Sequence, residues 1–318
     1  MSDVVPDPWR GLRDHWLPLR WSRAVGETPS CARLLGEPVL VSRSRAHGLR
    51  VTPARAWRSS ARSGERGERG ERYLAEERDG VVWCSLGRPS APPPAWPYRD
   101  WPGTSGSAEL ECSFVRLIEN MMDASHAAFI HGGLLRGKPT RLVRYVVRDT
   151  VAGVQKINER ERARGSLLYR LFGSGEDEFC HVEELVLPCW VRAEYQTTGG
   201  EVVFAVQFAF APVTATRTRI LYRVGARRAI SRVGPINRVA LLVLGRLVRR
   251  VIEQDRWILE AEERVLEELR GRGEAPRRAA TSADIAAVWA GQRAEDLAAG
   301  RARDPAAPAR RVEFELRL

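Results

Sequence analysis

The chain has 318 residues, enough to bury a core without disulfide or metal staples, so folding alone does not account for any metal site it carries. Its formal net charge is +11, and the excess is nearly all arginine, since only Lys138 and Lys156 are lysines. The arginines are interleaved with Asp and Glu and lack the aromatic-plus-basic patterning of a nucleic-acid surface. That argues against a nucleic-acid partner, although a basic surface suits an acidic redox partner.

The chain opens with short runs between turn residues. His15-Trp16-Leu17-Pro18 through Leu35-Gly36-Glu37-Pro38-Val39-Leu40-Val41 predicts small antiparallel strands. From Ser59 to Arg72 a Gly-Glu-Arg repeat offers nothing apolar to bury after Ala61, which predicts a loop. Strand character returns at Tyr73–Leu86 around the hairpin dipeptide Asp79-Gly80, and Pro92-Pro93-Pro94 marks a stiff linker and a domain boundary. Next comes a helix around Leu117–Ile130, ended by Gly132-Gly133. Strand-like runs follow at Leu142–Arg148, Val182–Leu187, Val202–Ala211 and Arg219–Val224. A long helix is expected from about Pro235 to Arg270, with Leu242, Leu247, Val251, Ile258 and Leu259 among its apolar positions. Beyond Gly271 the Ala- and Arg-rich tail has one helical candidate, Ser282–Ala298, capped by Thr281 or Ser282. The pattern is α+β with an antiparallel sheet.

The five cysteines, an odd number at irregular intervals, and the lack of a charged-then-apolar leader lead us to expect a reducing, cytoplasmic setting. The longest strongly apolar stretch, Val239–Leu244, is far short of the ~20 residues that cross a bilayer, so no membrane span is expected. Its amphipathic continuation reads as a core or subunit-contact helix.

Two of the five histidines fall in Glu119-Asn120-Met121-Met122-Asp123-Ala124-Ser125-His126-Ala127-Ala128-Phe129-Ile130-His131. On an ideal helix, Asp123 and His126 share a face, but His131 lies about 140° round from His126, too far for joint ligation. The helix must therefore end or distort near His131, and Gly132-Gly133 supplies a stop that lets both imidazoles converge. Two neutral imidazoles with one carboxylate and open positions suit Fe(II) awaiting oxygen and substrate. The bland alternative is two ordinary polar residues on a half-buried helix, with Asp123 a solvated carboxylate.

The pattern Glu-Asn-x-x-Asp-x-x-His-x-x-Phe-x-His resembles the mononuclear-iron motif of Rieske-type aromatic-ring hydroxylases and oxidative demethylases, at Asn120, Asp123, His126, Phe129 and His131. Ile252-Glu253-Gln254-Asp255-Arg256, on the long helix 124 residues past His131, resembles the segment that supplies that family's carboxylate ligand. The N-terminal strands around Leu35–Val41 and Glu77–Trp83 resemble those flanking its cluster-binding loops, so the likeness spans about Leu12 to Glu268. The resemblance implies that His126, His131 and Asp255 hold Fe(II). It also implies that Asp123 links a ligand histidine to a neighbouring subunit's cluster, and that Asn120 sits near the iron. The implied fold is a helix-grip (START-like) catalytic domain over 101–272, a curved antiparallel sheet closed by the long helix. It follows a reduced Rieske-like β domain over 1–100 and precedes a tail over 273–318.

One half of the family's equipment is missing. A Rieske [2Fe–2S] centre needs Cys-x-His and Cys-x-x-His, and neither occurs; Gly48 to Val82 contains no Cys and no His. No such cluster is therefore expected in this chain. Three readings follow. In the preferred one, a separate ferredoxin, Rieske protein or reductase supplies electrons for O2-dependent hydroxylation or dealkylation of a small, apolar or aromatic metabolite. Alternatively, the iron needs no external electrons, or the chain is a non-catalytic subunit beside an intact homologue. Assembly as a homotrimer or hetero-oligomer belongs to the same expectation.

His181 with Cys180 and Cys189 is disfavoured as a second metal site, because the spacing fits no zinc pattern. Met121, Met122, Phe129, Phe204, Phe208 and Phe210 read as core, with a substrate pocket as the alternative.

Overall fold

The computed structural model describes residues 7–55, 72–132, 141–162, 177–227, 234–274, 280–301, 303–304 and 307–317. The N-terminal part carries two three-stranded antiparallel sheets. One is ordered β1(Leu17–Trp21)-β6(Val81–Ser85)-β5(Leu74–Arg78), and the other β2(Ser30–Leu34)-β3(Glu37–Ser44)-β4(Gly48–Pro53). Both arise from the expected short runs. The β5–β6 turn places Asp79 and Gly80 at φ 53° and 77°, the doubly left-handed turn that Asp-Gly favours. The Gly-Glu-Arg repeat, apart from its final Arg72, lies outside the described residues.

The remainder is an eight-stranded antiparallel sheet, ordered β14(Arg311–Arg317)-β8(Leu142–Asp149)-β9(Gly153–Arg162)-β10(Glu178–Val186)-β11(Trp190–Gln196)-β12(Val202–Thr214)-β13(Arg217–Ala226)-β7(Gly103–Leu110). Bulges in β10 and β12 interrupt the register and add local twist, which suits a sheet that must curve around a helix. The expected runs at 142–148, 182–187, 202–211 and 219–224 are β8, β10, β12 and β13. β7, β9, β11 and β14 are additional.

The helix expected over 117–130 is instead two pieces, α1(Phe114–Met122) and α2(His126–Phe129). Phe114, Leu117, Ile118 and Met122 recur at helical spacing and bury one face of α1, and the Ser113 side chain caps its start. It stops at Asp123, whose backbone is extended and whose Oδ1 accepts from Ser125 N and Oγ at 2.7 and 2.9 Å. A side-chain carboxylate that captures the backbone two residues on competes with helix propagation, so the break falls before His126 as well as near His131.

The long helix α3 runs Gly234–Gly271. Its buried row is Leu244, Val248, Ile252, Asp255 and Leu259, steps of three and four residues that keep one stripe toward the sheet. Val251 is also buried, and Leu247 and Ile258 are half-buried. Leu242 departs from expectation: it is 61% exposed, on the outward face with Val239, Val243 and Trp257. The final helix, α4(Ile285–Ala298), follows a Thr281/Asp284 capping box and lies so close to α1 that a Cβ on Gly291 would meet Glu119 Oε1 at 2.4 Å.

The main apolar core runs from Trp9 through the N-terminal sheets into the large sheet and α4, and Ala124, Val143 and Tyr145 form a second, small cluster. Trp21, Trp83, Trp96 and Trp190 tie the parts together, with Trp96 centred 4.5 Å from Trp190 and 5.5 Å from Trp21. The proline segment is folded onto the β5–β6 turn, where Arg78 donates to the Pro93 carbonyl and Asp79 accepts from Trp96 N.

Candidate metal centre

His126 opens α2, His131 follows the end of that helix, and Asp255 stands midway along α3. All three are buried, at 8%, 0% and 3% exposure. One ligand atom from each lies within 4.8 Å of the others, near enough for one ion to touch all three. The imidazole rings are 5.5 Å apart and nearly perpendicular. His131 Nε2 lies 3.1 Å from Asp255 Oδ1, yet without the alignment of a hydrogen bond, so this buried nitrogen has no hydrogen-bond partner among the described residues.

The other ring nitrogens explain why these atoms face the site. His126 Nδ1 is 3.0 Å from the Asp123 carbonyl oxygen, and His131 Nδ1 is 3.0 Å from Gln254 Oε1. Each acceptor holds its ring's proton on Nδ1, which leaves Nε2 with a lone pair, the tautomer that a metal ligand requires. Asn120 Nδ2 donates to Asp255 Oδ1 at 3.2 Å and turns that carboxylate toward the histidines. An orphaned nitrogen, two Nδ1-protonated imidazoles and an oriented carboxylate fit a divalent ion with nitrogen and oxygen preference.

Burial pushes the His126 pKa down, and the Lys156 and His131 charges add to that against Asp255 and Asp123, so the ring stays neutral. Burial also works against protonation of His131, but the Asp255 carboxylate and Gln254 outweigh it and the net shift is upward. The metal-free pair is thus one neutral imidazole beside one that shares a proton-attracting environment with a carboxylate.

A cavity adjoins the three residues, under α3 and against the sheet, with Leu117, Val206, Ile220 and Val248 among its apolar walls. Of the six aromatic and methionine candidates, Met121 and Phe208 line it; Met122, Phe204 and Phe210 are plain core, and Phe129 is 74% exposed. His181, Glu183 and Tyr195 also line the cavity, on the same face of the sheet as Val206. His181 Nε2 lies 3.4 Å from Glu183 Oε1, and its ring stacks on Tyr195 at 4.3 Å. Lys156, 1% exposed, pairs with Glu183. No signal in the sequence marked Lys156 or Tyr195. In the sequence, Gln254 stands beside the carboxylate without a role, and His181 and Glu183 belong only to the disfavoured second metal site with Cys180 and Cys189.

The helix-grip fold is that of the catalytic domain of the Rieske-type oxygenases, and it brings two histidines and an aspartate together at one buried point. The model of the vanillate O-demethylase oxygenase C-terminal domain matches residues 110–300, and the chain belongs to that family of oxidoreductases. No curated protein matches the sequence. Among solved structures, dicamba monooxygenase bound to dicamba superposes with a TM-score of 0.71 at 16% identity, covering 90% of this chain and 97% of the other. Dicamba monooxygenase with non-heme iron and dicamba gives 0.64 at 16% identity, over 90% and 97%. Pseudomonas putida CBB5 NdmA with caffeine gives 0.59 at 14% identity, over 92% and 96%. At these identities the likeness is one of fold, and it extends through the N-terminal β sheets.

Proposed function

We propose that the chain is a mononuclear non-haem iron oxygenase in which His126, His131 and Asp255 hold Fe(II). Its substrate is a small, apolar or aromatic metabolite that occupies the adjoining cavity and is hydroxylated or oxidatively dealkylated. The observation that carries this reading is the convergence of two lone-pair-bearing Nε2 atoms and a carboxylate on one buried point beside an apolar cavity. Fe(II) held with positions left open supplies oxygen activation. The chain's own residues do the rest. Gln254 and the Asp123 carbonyl fix the imidazole tautomers, Asn120 orients Asp255, and the apolar row of α3 excludes water. The dicamba and caffeine complexes of fold relatives favour a small organic molecule as substrate.

The electrons come from a separate ferredoxin, Rieske protein or reductase, since the chain has no Cys-x-His and no Cys-x-x-His with which to build its own [2Fe–2S] centre. Asp123, half-buried and three residues from His126, is the approach we assign to that partner, within a homotrimer or a hetero-oligomer with an intact homologue. The same absence favours a second reading, an iron site that takes its electrons from the substrate or works as a Lewis acid.

Iron and acid-labile sulfide counted separately on purified protein test the site. One iron per chain without sulfide is expected, and His126→Ala should lose the iron; wild-type iron content in that variant refutes the assignment. Oxygen uptake with candidate substrates, with and without a reductase–ferredoxin pair, separates the two readings. Turnover only with the pair supports the first and turnover without it the second; none under either condition points to a non-catalytic subunit.

A further inference from the structure

Lys156, one of only two lysines in the chain, occupies a core-facing position of β9 and is 1% exposed. An ammonium taken that far from water needs its N–H groups met by oxygens. Nζ donates to the carbonyls of Asp123 at 2.9 Å and Met122 at 3.2 Å, and it pairs with the Glu183 carboxylate. The sheet fixes that pair, because Lys156 and Glu183 stand opposite each other in the β9–β10 register. Both carbonyls belong to the end of α1. That of Asp123 is also the acceptor facing His126 Nδ1 at 3.0 Å, so one oxygen with two lone pairs serves the ammonium and the imidazole together.

We infer that Lys156 is a positioning residue for the metal centre, anchoring from the rigid sheet the Asp123 carbonyl that aims His126 Nε2 at Asp255 and His131. The inference rests on the metal reading proposed above. A plain helix cap would stabilise the end of α1 without influencing the ion. A positioning group sets where the ligand nitrogen sits, and loss of such outer partners typically weakens metal affinity about 10- to 100-fold. Glu183 holds the ammonium in place and also faces the cavity, so the polar wall and the ligand share one support.

The test uses Co(II) as the probe, titrated calorimetrically and by its visible absorption into the full chain, with His126→Ala as control. Lys156→Met should weaken Co(II) binding about 10-fold or more and alter the absorption band. Because Lys156→Met leaves Glu183 buried without its cation, Lys156→Met/Glu183→Leu is measured beside it. Removing both charges should restore thermal stability but not Co(II) affinity. A folded variant of either kind with wild-type affinity and spectrum overturns the inference. If the wild type itself fails to bind Co(II), the metal reading falls and this one with it. If the wild type binds, His126→Ala does not, and the Lys156 variants match the wild type, only this inference falls. Should both variants fail to fold, the wild type labelled with ε-15N-lysine decides. It has two lysine signals, assigned through Lys138→Arg, and Zn(II) should shift that of Lys156; an unmoved signal overturns the proposal.

Discussion

Gln254 and Asp255 are neighbours on α3 yet address the two nitrogens of one ring, with Gln254 Oε1 3.0 Å from His131 Nδ1 and Asp255 Oδ1 3.1 Å from Nε2. Gln254→Leu removes the acceptor and frees the ring to take the other tautomer. Divalent-metal affinity should fall about 10- to 100-fold with little loss of fold, as read by calorimetry beside a thermal melt. Proton competition has a definite sign here. The His131 pKa is raised by Asp255 and Gln254 despite burial, so as pH falls through that value the ring becomes an imidazolium against Asp255 and both ligands are masked. His126, held low by burial, protonates later. Co(II) affinity should therefore decline on acidification, starting above the ordinary histidine value of about 6.5. An affinity that is flat between about pH 8 and pH 6 would contradict this.

At the scale of elements, the break between α1 and α2 is where local chemistry overrides helical periodicity. Asp123→Ala removes the acceptor for Ser125 N and Oγ and should destabilise the chain by about 1 kcal/mol, comparable to losing a helix cap, as measured by denaturant unfolding. The long helix was legible because its apolar residues recur at helical spacing over ten turns; the exposed Leu242 was not, because periodicity does not say which flank of a stripe meets a neighbour. β9 escaped notice for a different reason. Its inward positions are Val154, Lys156 and Asn158, so the alternation that marks a half-buried strand is written in polar residues there. That irregularity and the polar wall of the cavity are one feature.

Across the whole molecule, the tail beyond the helix-grip core is part of the sheet. β14 pairs with β8, and Phe314 stacks on Tyr145 at 5.2 Å. Asp149, at the end of β8 and 4% exposed, receives Arg293 from α4 together with Arg303 and Arg310 from the segment leading to β14. Asp149→Ala would leave three guanidinium groups converging without their anion. A loss of roughly 3–5 kcal/mol is expected, tending to the lower value because Arg310 is itself partly exposed, and chemical denaturation would measure it. The motif of His126 and His131, the segment of Asp255 and the missing cysteine–histidine pairs were all visible in the sequence, because each is a short pattern of residue types at fixed spacing. Only the tertiary structure decided which nitrogen of each ring is hydrogen-bonded away from the site, that Gln254 and Asn120 contact His131 and Asp255, and that a buried lysine from a strand shares the Asp123 carbonyl with His126. Those relations join residues far apart in the chain through hydrogen bonds whose geometry no local pattern encodes.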